Sequence, residues 1–495
     1  MQRLHPSGLD ALPADVQRPR YDRGALRAGI VHLGVGAFQR AHLAVVNEAA
    51  IHASSDLRWG IVGVSLRQPD TRDALAPQAG LYTVAIRDAA ADGQPREALQ
   101  VVGTLLEVLV APEDPAGVLA RLADADIRIV SLTITEKGYH RDPASGALNN
   151  ADPDIVHDLA SPGAPRTALG FIVHAMQIRR QNGVAPVTVL SCDNLPANGD
   201  TLRSLVVAFA AHVDPALADW IATNCTFPNS MVDRIVPRTT DADRAAVSAR
   251  LGMTDAWPVI GEPFLDWAIE DRFANGRPAW DRGGARFVAQ AEPFEKLKLR
   301  MVNGSHSALA YLGAMAGWRT VDRAIAVPAM HRYLETMLRD EIAPTLSALP
   351  GLDLDDYRTR LLQRYANPAL QHQTHQIAMD GSQKLPQRLL GTVRDRIQAG
   401  KPYDRLALAI AGWIHYLRGS DESGTPHEIA DPLAAALRER MGPLARSAHD
   451  GVAHFVGFEP VFGDLGHDVR FISAVARHLV ALRQRGVPAT LEAQP

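Results

Sequence analysis

The chain has 495 residues, 46% apolar and 21% charged, an ordinary globular composition with length enough for two domains or more. Its 51 basic and 55 acidic residues leave a net charge of -4, so no electrostatic footprint points to nucleic acid or to an anionic membrane as the partner. The only cysteines, Cys192 and Cys225, are too few for a disulfide framework or a thiolate zinc site, and no metal is expected.

The N-terminal segment MQRLHPSGLDALPADVQRPRYDRG lacks the apolar core of a secretory signal, and no stretch approaches the roughly 18 apolar residues of a membrane helix, so a cytoplasmic protein is expected. Residues 29–33 predict a short buried strand, Gly34-Val35-Gly36 breaks it, and the apolar spacing over 37–54 predicts a helix. Further strands are predicted at 59–66, 81–86, 101–110, 127–135 and 187–192, with helices at 115–123 and 167–180. This alternation predicts an α/β fold whose N-terminal domain is Rossmann-type with a mainly parallel sheet. From about residue 290 helical patterns follow one another, at 294–318, 328–341, 354–364, 406–417, 432–441 and 468–485. They predict a mostly α-helical C-terminal domain. The turn-rich stretch 275–284 separates the two, giving domains 1–285 and 286–495.

A strand that ends in Gly34-x-Gly36 and opens a helix suits a dinucleotide pyrophosphate, because glycines allow close backbone approach and a helix start offers unpaired N–H donors. The third glycine of G-x-G-x-x-G falls on Gln39, so a plain strand-to-helix turn is the competing reading. The acidic residue expected about 20 positions on to grip the adenosine ribose has no obvious candidate before Asp70, and Arg67 would attract a 2′-phosphate. Residue chemistry therefore leaves NAD and NADP both open.

The segment Glu295-Lys296-Leu297-Lys298-Leu299-Arg300-Met301-Val302-Asn303-Gly304-Ser305-His306 runs into the small, apolar SALAYLGAMAGW. At about 100° per residue, Glu295, Lys298, Asn303 and His306 fall within an arc of roughly 140°, and Lys296 lies just outside it. Periodicity thus favours Lys298 over Lys296 only weakly. A carbonyl reductase must stabilise charge on the substrate oxygen and deliver a proton to it. A desolvated lysine suits the second task, an asparagine amide the first, and a histidine can orient a substrate hydroxyl. The competing reading is a solvated lysine and a core histidine. No Tyr-x-x-x-Lys pair is present.

With Lys298, Asn303 and His306 in the order Lys, four residues, Asn, two residues, His, the chain resembles the mannitol dehydrogenase family, the polyol-specific long-chain dehydrogenases and reductases. The blocks IVHLGVGAFQRAH, SLTITEKGY, SCDN, FPNSMVDRIVP, EPFLDWAIEDRFANGRPAWD and QIAMDGSQKLPQRLL extend the resemblance from Ile30 to about Arg470. It implies a Rossmann-type N-terminal domain, a helical C-terminal domain, and a metal-free site in the cleft between them. It implies Lys298 as general acid and base, Asn194 and Asn303 as an oxyanion pair, and His306 and Asp233 as groups that orient substrate. Glu295 is then the gate of a proton path. Gly34, Gly36, Ala37, Phe38 and Arg40, with Asp233, belong to the cofactor side, and Gln376 and Lys384 to the substrate side.

Within the family, TITEKGY, MVDRIVP and residues 376–388 are most similar to the fructuronate reductases, also called D-mannonate oxidoreductases, and Gln376 stands where mannitol 2-dehydrogenases tend to carry arginine. The implied activity is hydride transfer between NAD(H), with NADP not excluded, and the second carbon of a sugar acid. The implied partner is this small molecule, and the chain is expected as a monomer or small homo-oligomer. A uronate needs a cation, for which Lys384, Arg388, His372 and His375 are the candidates. The alternatives are a mannitol or arabinitol 2-dehydrogenase acting on a polyol, and a non-catalytic dinucleotide-binding protein. Three further features have competing readings: His372 and His375 as metal ligands or surface residues, Cys192 as a nucleophile or a small buried residue, and Glu136 with Lys137 as a solvated pair or a cleft pair.

Overall fold

The computed structural model describes residues 1–89, 95–142, 145–349, 352–445 and 448–494. It divides into two compact units, Met1–Glu292 and Pro293–Pro495.

The first unit has eleven described strands: β1 (Ala28–Leu33), β2 (Gly60–Ser65), β3 (Tyr82–Ala89), β4 (Pro95–Val102), β5 (Leu105–Val110), β6 (Ile129–Leu132), β7 (Thr188–Ser191), β8 (Ser230–Asp233), β9 (Val259–Gly261), β10 (Asp266–Glu270) and β11 (Arg286–Val288). Five of them form a sheet in the order β5-β2-β1-β6-β7, with every pairing parallel. Strands β1, β2, β6 and β7 are buried along nearly their whole length, because both faces of the sheet are covered and no polar alternation is needed. Val31, Leu33, Val62, Val130 and Val189 pack with Val118, Phe171 and Leu202 on one face. Ile30, Ile61, Ile129 and Leu190 pack with Leu43, Val46 and Trp280 on the other. The strand order reverses direction between β1 and β6, the position where a doubly wound sheet opens a crevice at its carboxyl edge.

Two predicted elements are split, each at a hydrogen bond to a residue distant in sequence. The helix expected over 37–54 breaks at His42, with φ -120° and ψ -86°, and the His42 Nε2 lies 3.0 Å from the Asp266 carbonyl oxygen. The strand expected over 101–110 becomes β4 and β5. There the buried Glu48 carboxylate accepts hydrogen bonds from the Gly103 and Thr104 amides at 2.8 and 3.0 Å, which removes those amides from any ladder. Strands β8, β10 and β11 form one small sheet and β3, β4 and β9 another. β11 follows residue 285 but pairs with β10 and so belongs to the first unit.

The second unit is helical around one apolar core that runs from Leu297 to Leu491. Its central helix, Ser305–Met315, is buried at every residue, which explains why SALAYLGAM shows no polar face. Among the described residues no helix is long and apolar enough to cross a membrane.

Candidate functional site

The crevice at the carboxyl edge of the parallel sheet is a cleft of about 940 Å³, lined after β1 by Gly34 and Gly36, after β2 by Arg67 and Asp70, and after β6 by Thr133 to Thr135. Gly34 has φ +88°, and a Cβ there would sit 2.2 Å from the Thr133 carbonyl oxygen. Any other residue would be strained twice over. A Cβ on Gly36 would meet nothing closer than the Gly34 oxygen at 3.9 Å, so what this glycine keeps open is room in the cleft. That room fits a pyrophosphate against the backbone.

The turn is held by a buried histidine. Thr133 Oγ1 donates its single proton to the Gly34 oxygen at 2.8 Å, so it accepts from His32 Nε2 at 2.9 Å. His32 Nδ1 is then the acceptor for the Ser131 hydroxyl at 2.8 Å. Complete burial pushes the His32 pKa down to about 3, which keeps the ring neutral at physiological pH.

Ala37 and Phe38 are half-buried, and Phe38 stacks on His42 with ring centroids 4.9 Å apart. Arg40 is buried, donates to the Trp257 carbonyl oxygen at 2.5 Å, and lies 5.3 Å from the Tyr82 ring centroid. Burial lowers its pKa to about 10, so it stays charged. Trp257, which lines the same cleft, is thus tied through its backbone to a residue of the glycine turn. No local pattern announces this pairing across more than two hundred residues. Asn194 is exposed just after β7. Asp233 is buried at the end of β8, in register with Asp266.

In the second unit, residues 298–304 are wound as a π-helix between the α-helical turns Glu292–Leu297 and Ser305–Met315. Positions i and i+5 are one hydrogen-bonded turn apart in this geometry, as i and i+4 are in an α-helix. Lys298 and Asn303, about 140° apart on an α-helix, are thus brought onto one side. Lys298 is buried, whereas the Lys296 side chain is 37% exposed, with its Nζ 3.6 Å from Asp395. Of the two lysines only Lys298 is withdrawn from water. Glu295 is half-buried.

A second π-helical turn, Pro386–Leu390, packs against the first. A Cβ on Gly304 would stand 2.8 Å from the Arg388 carbonyl oxygen. Arg388 donates to the Ser307 hydroxyl at 3.1 Å, and Lys384 donates to the Ile377 carbonyl oxygen at 3.3 Å. His306 stacks on Tyr365 at 5.1 Å and meets the edge of His372 at 5.1 Å. Its Nε2 has no hydrogen-bond partner among the described residues. Burial, followed by the positive fields of His372, Arg388, Arg364 and Lys384, holds the His306 pKa well below the usual imidazole value. His372 is pushed down to about 4 by burial and by Lys384.

His375 turns the other way, toward His427 and Tyr416, so the i, i+3 histidine pair does not share a ligand. Among the described residues no group of three or more His, Cys, Asp or Glu side chains is placed to hold a metal. Gln376 is exposed. Cys192 is buried, and burial with the neighbouring Asp193 raises its thiol pKa far above the reactive range. Lys137 lines the cleft, and Glu136 beside it is exposed.

The mannitol dehydrogenase Rossmann domain model matches residues 28–282, and the mannitol dehydrogenase C-terminal domain model matches residues 290–483. The chain belongs to the mannitol dehydrogenase family. The family's members are oxidoreductases that act on CH–OH groups, and this chain is one of them. It is 44% identical over 476 residues to a D-mannonate oxidoreductase of Escherichia coli, covering 95% of this chain and 96% of that one. It is 39% identical over 485 residues to a mannitol 2-dehydrogenase of Aspergillus fumigatus, covering 96% and 95%. Among solved structures, the Pseudomonas fluorescens mannitol 2-dehydrogenase in ternary complex with NAD and D-mannitol matches with a TM-score of 0.89 at 38% identity, covering 99% of each chain. A substrate-free D-sorbitol dehydrogenase matches with the same TM-score at 34% identity, covering 99% of this chain and all of the other. Members of the family thus include enzymes named for a sugar acid and enzymes named for a polyol.

Proposed function

We propose that the protein is an NAD-dependent reductase that interconverts D-fructuronate and D-mannonate. The observation that carries the choice of an acid is the setting of His306, whose buried ring feels the charges of Arg388, Arg364 and Lys384, with the neutral His372 ring at its edge. A carboxylate makes charge-assisted hydrogen bonds with arginine and lysine that an uncharged polyol cannot. We assign that contact to Arg388 and Lys384. Similarity to the D-mannonate oxidoreductase supports the same choice.

NAD is supported by the family and by the Pseudomonas complex, and the cleft has the backbone room for its pyrophosphate. Gly34, Gly36, Ala37, Phe38 and Arg40 form or brace that turn. Asp70, which lines the cleft together with Arg67, suits the hydroxyls of an adenosine ribose. When bound, the dinucleotide supplies or takes the hydride.

In reduction, Lys298 as ammonium gives its proton to the oxygen on the substrate's second carbon. Asn303 and Asn194 donate amide hydrogen bonds to that oxygen as its charge grows. Neutral His306 and the Asp233 carboxylate orient substrate hydroxyls, Gln376 adds a polar contact, and Glu295 returns a proton from water to Lys298. Oxidation runs the same steps in reverse.

A second reading, a mannitol or arabinitol 2-dehydrogenase, is favoured by similarity to the fungal and Pseudomonas mannitol enzymes. Initial rates of NADH oxidation with D-fructuronate and with D-fructose separate the two. The proposal expects kcat/KM for fructuronate to be higher by at least about tenfold, the effect of one charge-assisted contact. Equal or faster reduction of fructose overturns it.

A further inference from the structure

The carboxylate of Asp193, between buried Cys192 and exposed Asn194, is directed at the loop after β6. Its Oδ2 accepts from the Ile134 amide at 3.0 Å and from the Tyr139 hydroxyl at 2.9 Å, and its Oδ1 accepts from the Thr135 amide at 3.0 Å. Tyr139 also bonds the Ser191 hydroxyl at 2.6 Å. The Asp193 carbonyl oxygen accepts in turn from Asn198 Nδ2 at 3.0 Å and from the Leu195 amide at 2.9 Å. Asn194 therefore lies between two residues that are fixed to each other, one of them bound to the loop that lines the cofactor cleft.

Thr135 in that loop has φ +62° and ψ 164°, a conformation that a β-branched residue avoids unless its surroundings enforce it. Its amide is one of the three groups the carboxylate holds. The neighbouring Thr133 fixes the Gly34 carbonyl oxygen, so the hold extends to the glycine turn.

We propose that Asp193 is a positioning residue that locks the cofactor-lining loop Thr133 to Thr135 and Asn194 into one unit, so that cofactor affinity and turnover depend on the same carboxylate. The link to turnover rests on the role assigned to Asn194. The link to cofactor affinity does not, and it can fail separately.

The test uses the full-length protein, with NADH binding followed by fluorescence titration, kcat from initial rates, and melting temperature. In Asp193→Asn the one remaining side-chain oxygen must serve three donors. The dissociation constant for NADH is expected to rise roughly tenfold, as for the loss of one or two hydrogen bonds to a charged group, and kcat to fall at least as far. Thr135→Gly, which adopts the positive φ without strain, is expected to return part of the lost affinity when added to Asp193→Asn. A purely structural carboxylate would lower the melting temperature and the active fraction while leaving NADH affinity unchanged, and that result overturns the proposal. So does a double variant in which the two losses simply add. Should Asp193→Asn fail to fold, Tyr139→Phe removes one donor and no charge. A rise in the NADH dissociation constant then supports the proposal, and an unchanged constant overturns it.

Discussion

The two turns that carry the proposed chemistry work in opposite ways. At Gly34 to Arg40 the polar side chains face inward: Gln39 and Arg40 are buried, and Arg40 donates to the Trp257 carbonyl. What lines the cleft there is Gly34, Val35 and Gly36, with the space left where a Cβ is missing. At Lys298 to His306 the backbone is buried in helix and the side chains matter, arranged by a change of helical pitch. A nucleotide phosphate is recognised by N–H groups at close range, which glycine permits. A sugar oxygen needs a proton donor and an amide at fixed separation, which the i, i+5 repeat of a π-helix supplies.

The comparison breaks first at Lys298. Lys298→Ala is expected to lower kcat by about 10³-fold or more while leaving NADH binding intact, a loss of general acid–base catalysis. Lys296→Ala, which removes only a partly exposed pair with Asp395, is expected to change kcat by less than about threefold. Comparable losses in both would place the chemistry on the wrong face.

Gly34→Ala tests the other turn. The substitution forces a clash with Thr133 at an unfavourable φ, and chemical denaturation is expected to show a loss of about 2–4 kcal/mol, with NADH affinity reduced in parallel. An alanine variant of normal stability that binds NADH normally would mean that the backbone approach does not matter.

A smaller effect follows from the two depressed imidazoles of the second unit. His372 titrates at about 4 when folded, and His306 also lies below the usual value, whereas both would titrate near 6.5 in the unfolded chain. Between those values the unfolded state binds more protons. Stability is thus fully present above about pH 6.5 and lost as pH falls toward 4. Urea unfolding is expected to show a decline on the order of 1 kcal/mol from His372 between pH 6.5 and 5, less than the full linkage value because His372 is only partly buried, and His306 acts in the same direction. In His372→Gln that decline should flatten.

Much of this was legible in the residues, and what was not has physical causes. The strands β1, β2, β6 and β7 are short and mostly apolar, and the Rossmann-type domain follows from their alternation with helices. Helices Asn198–Val213 and Pro215–Asn224 lie outside the expected set, although Leu202, Leu205, Val206 and Phe209 carry the spacing. The break at His42 depends on a carbonyl more than two hundred residues away. Periodicity at 100° per residue could not separate Lys298 from Lys296, because the segment is not an α-helix there. Family resemblance chose between them, and burial now distinguishes them physically. The cations around His306 come from separate segments, Arg364 on one and Lys384 with Arg388 on another, and the sequence pattern offers Lys384 and Arg388 but not Arg364.

The central claim is that this positive group selects an acid over an alcohol. It is tested most directly by Arg388→Met, which keeps the apolar stem and removes the guanidinium, with kcat/KM measured for D-fructuronate and D-fructose at one NADH concentration. The account predicts a loss of about 10²-fold for fructuronate, the effect of removing a charge-assisted contact to a carboxylate, and little change for fructose. Equal losses for both substrates, or none for either, would contradict it.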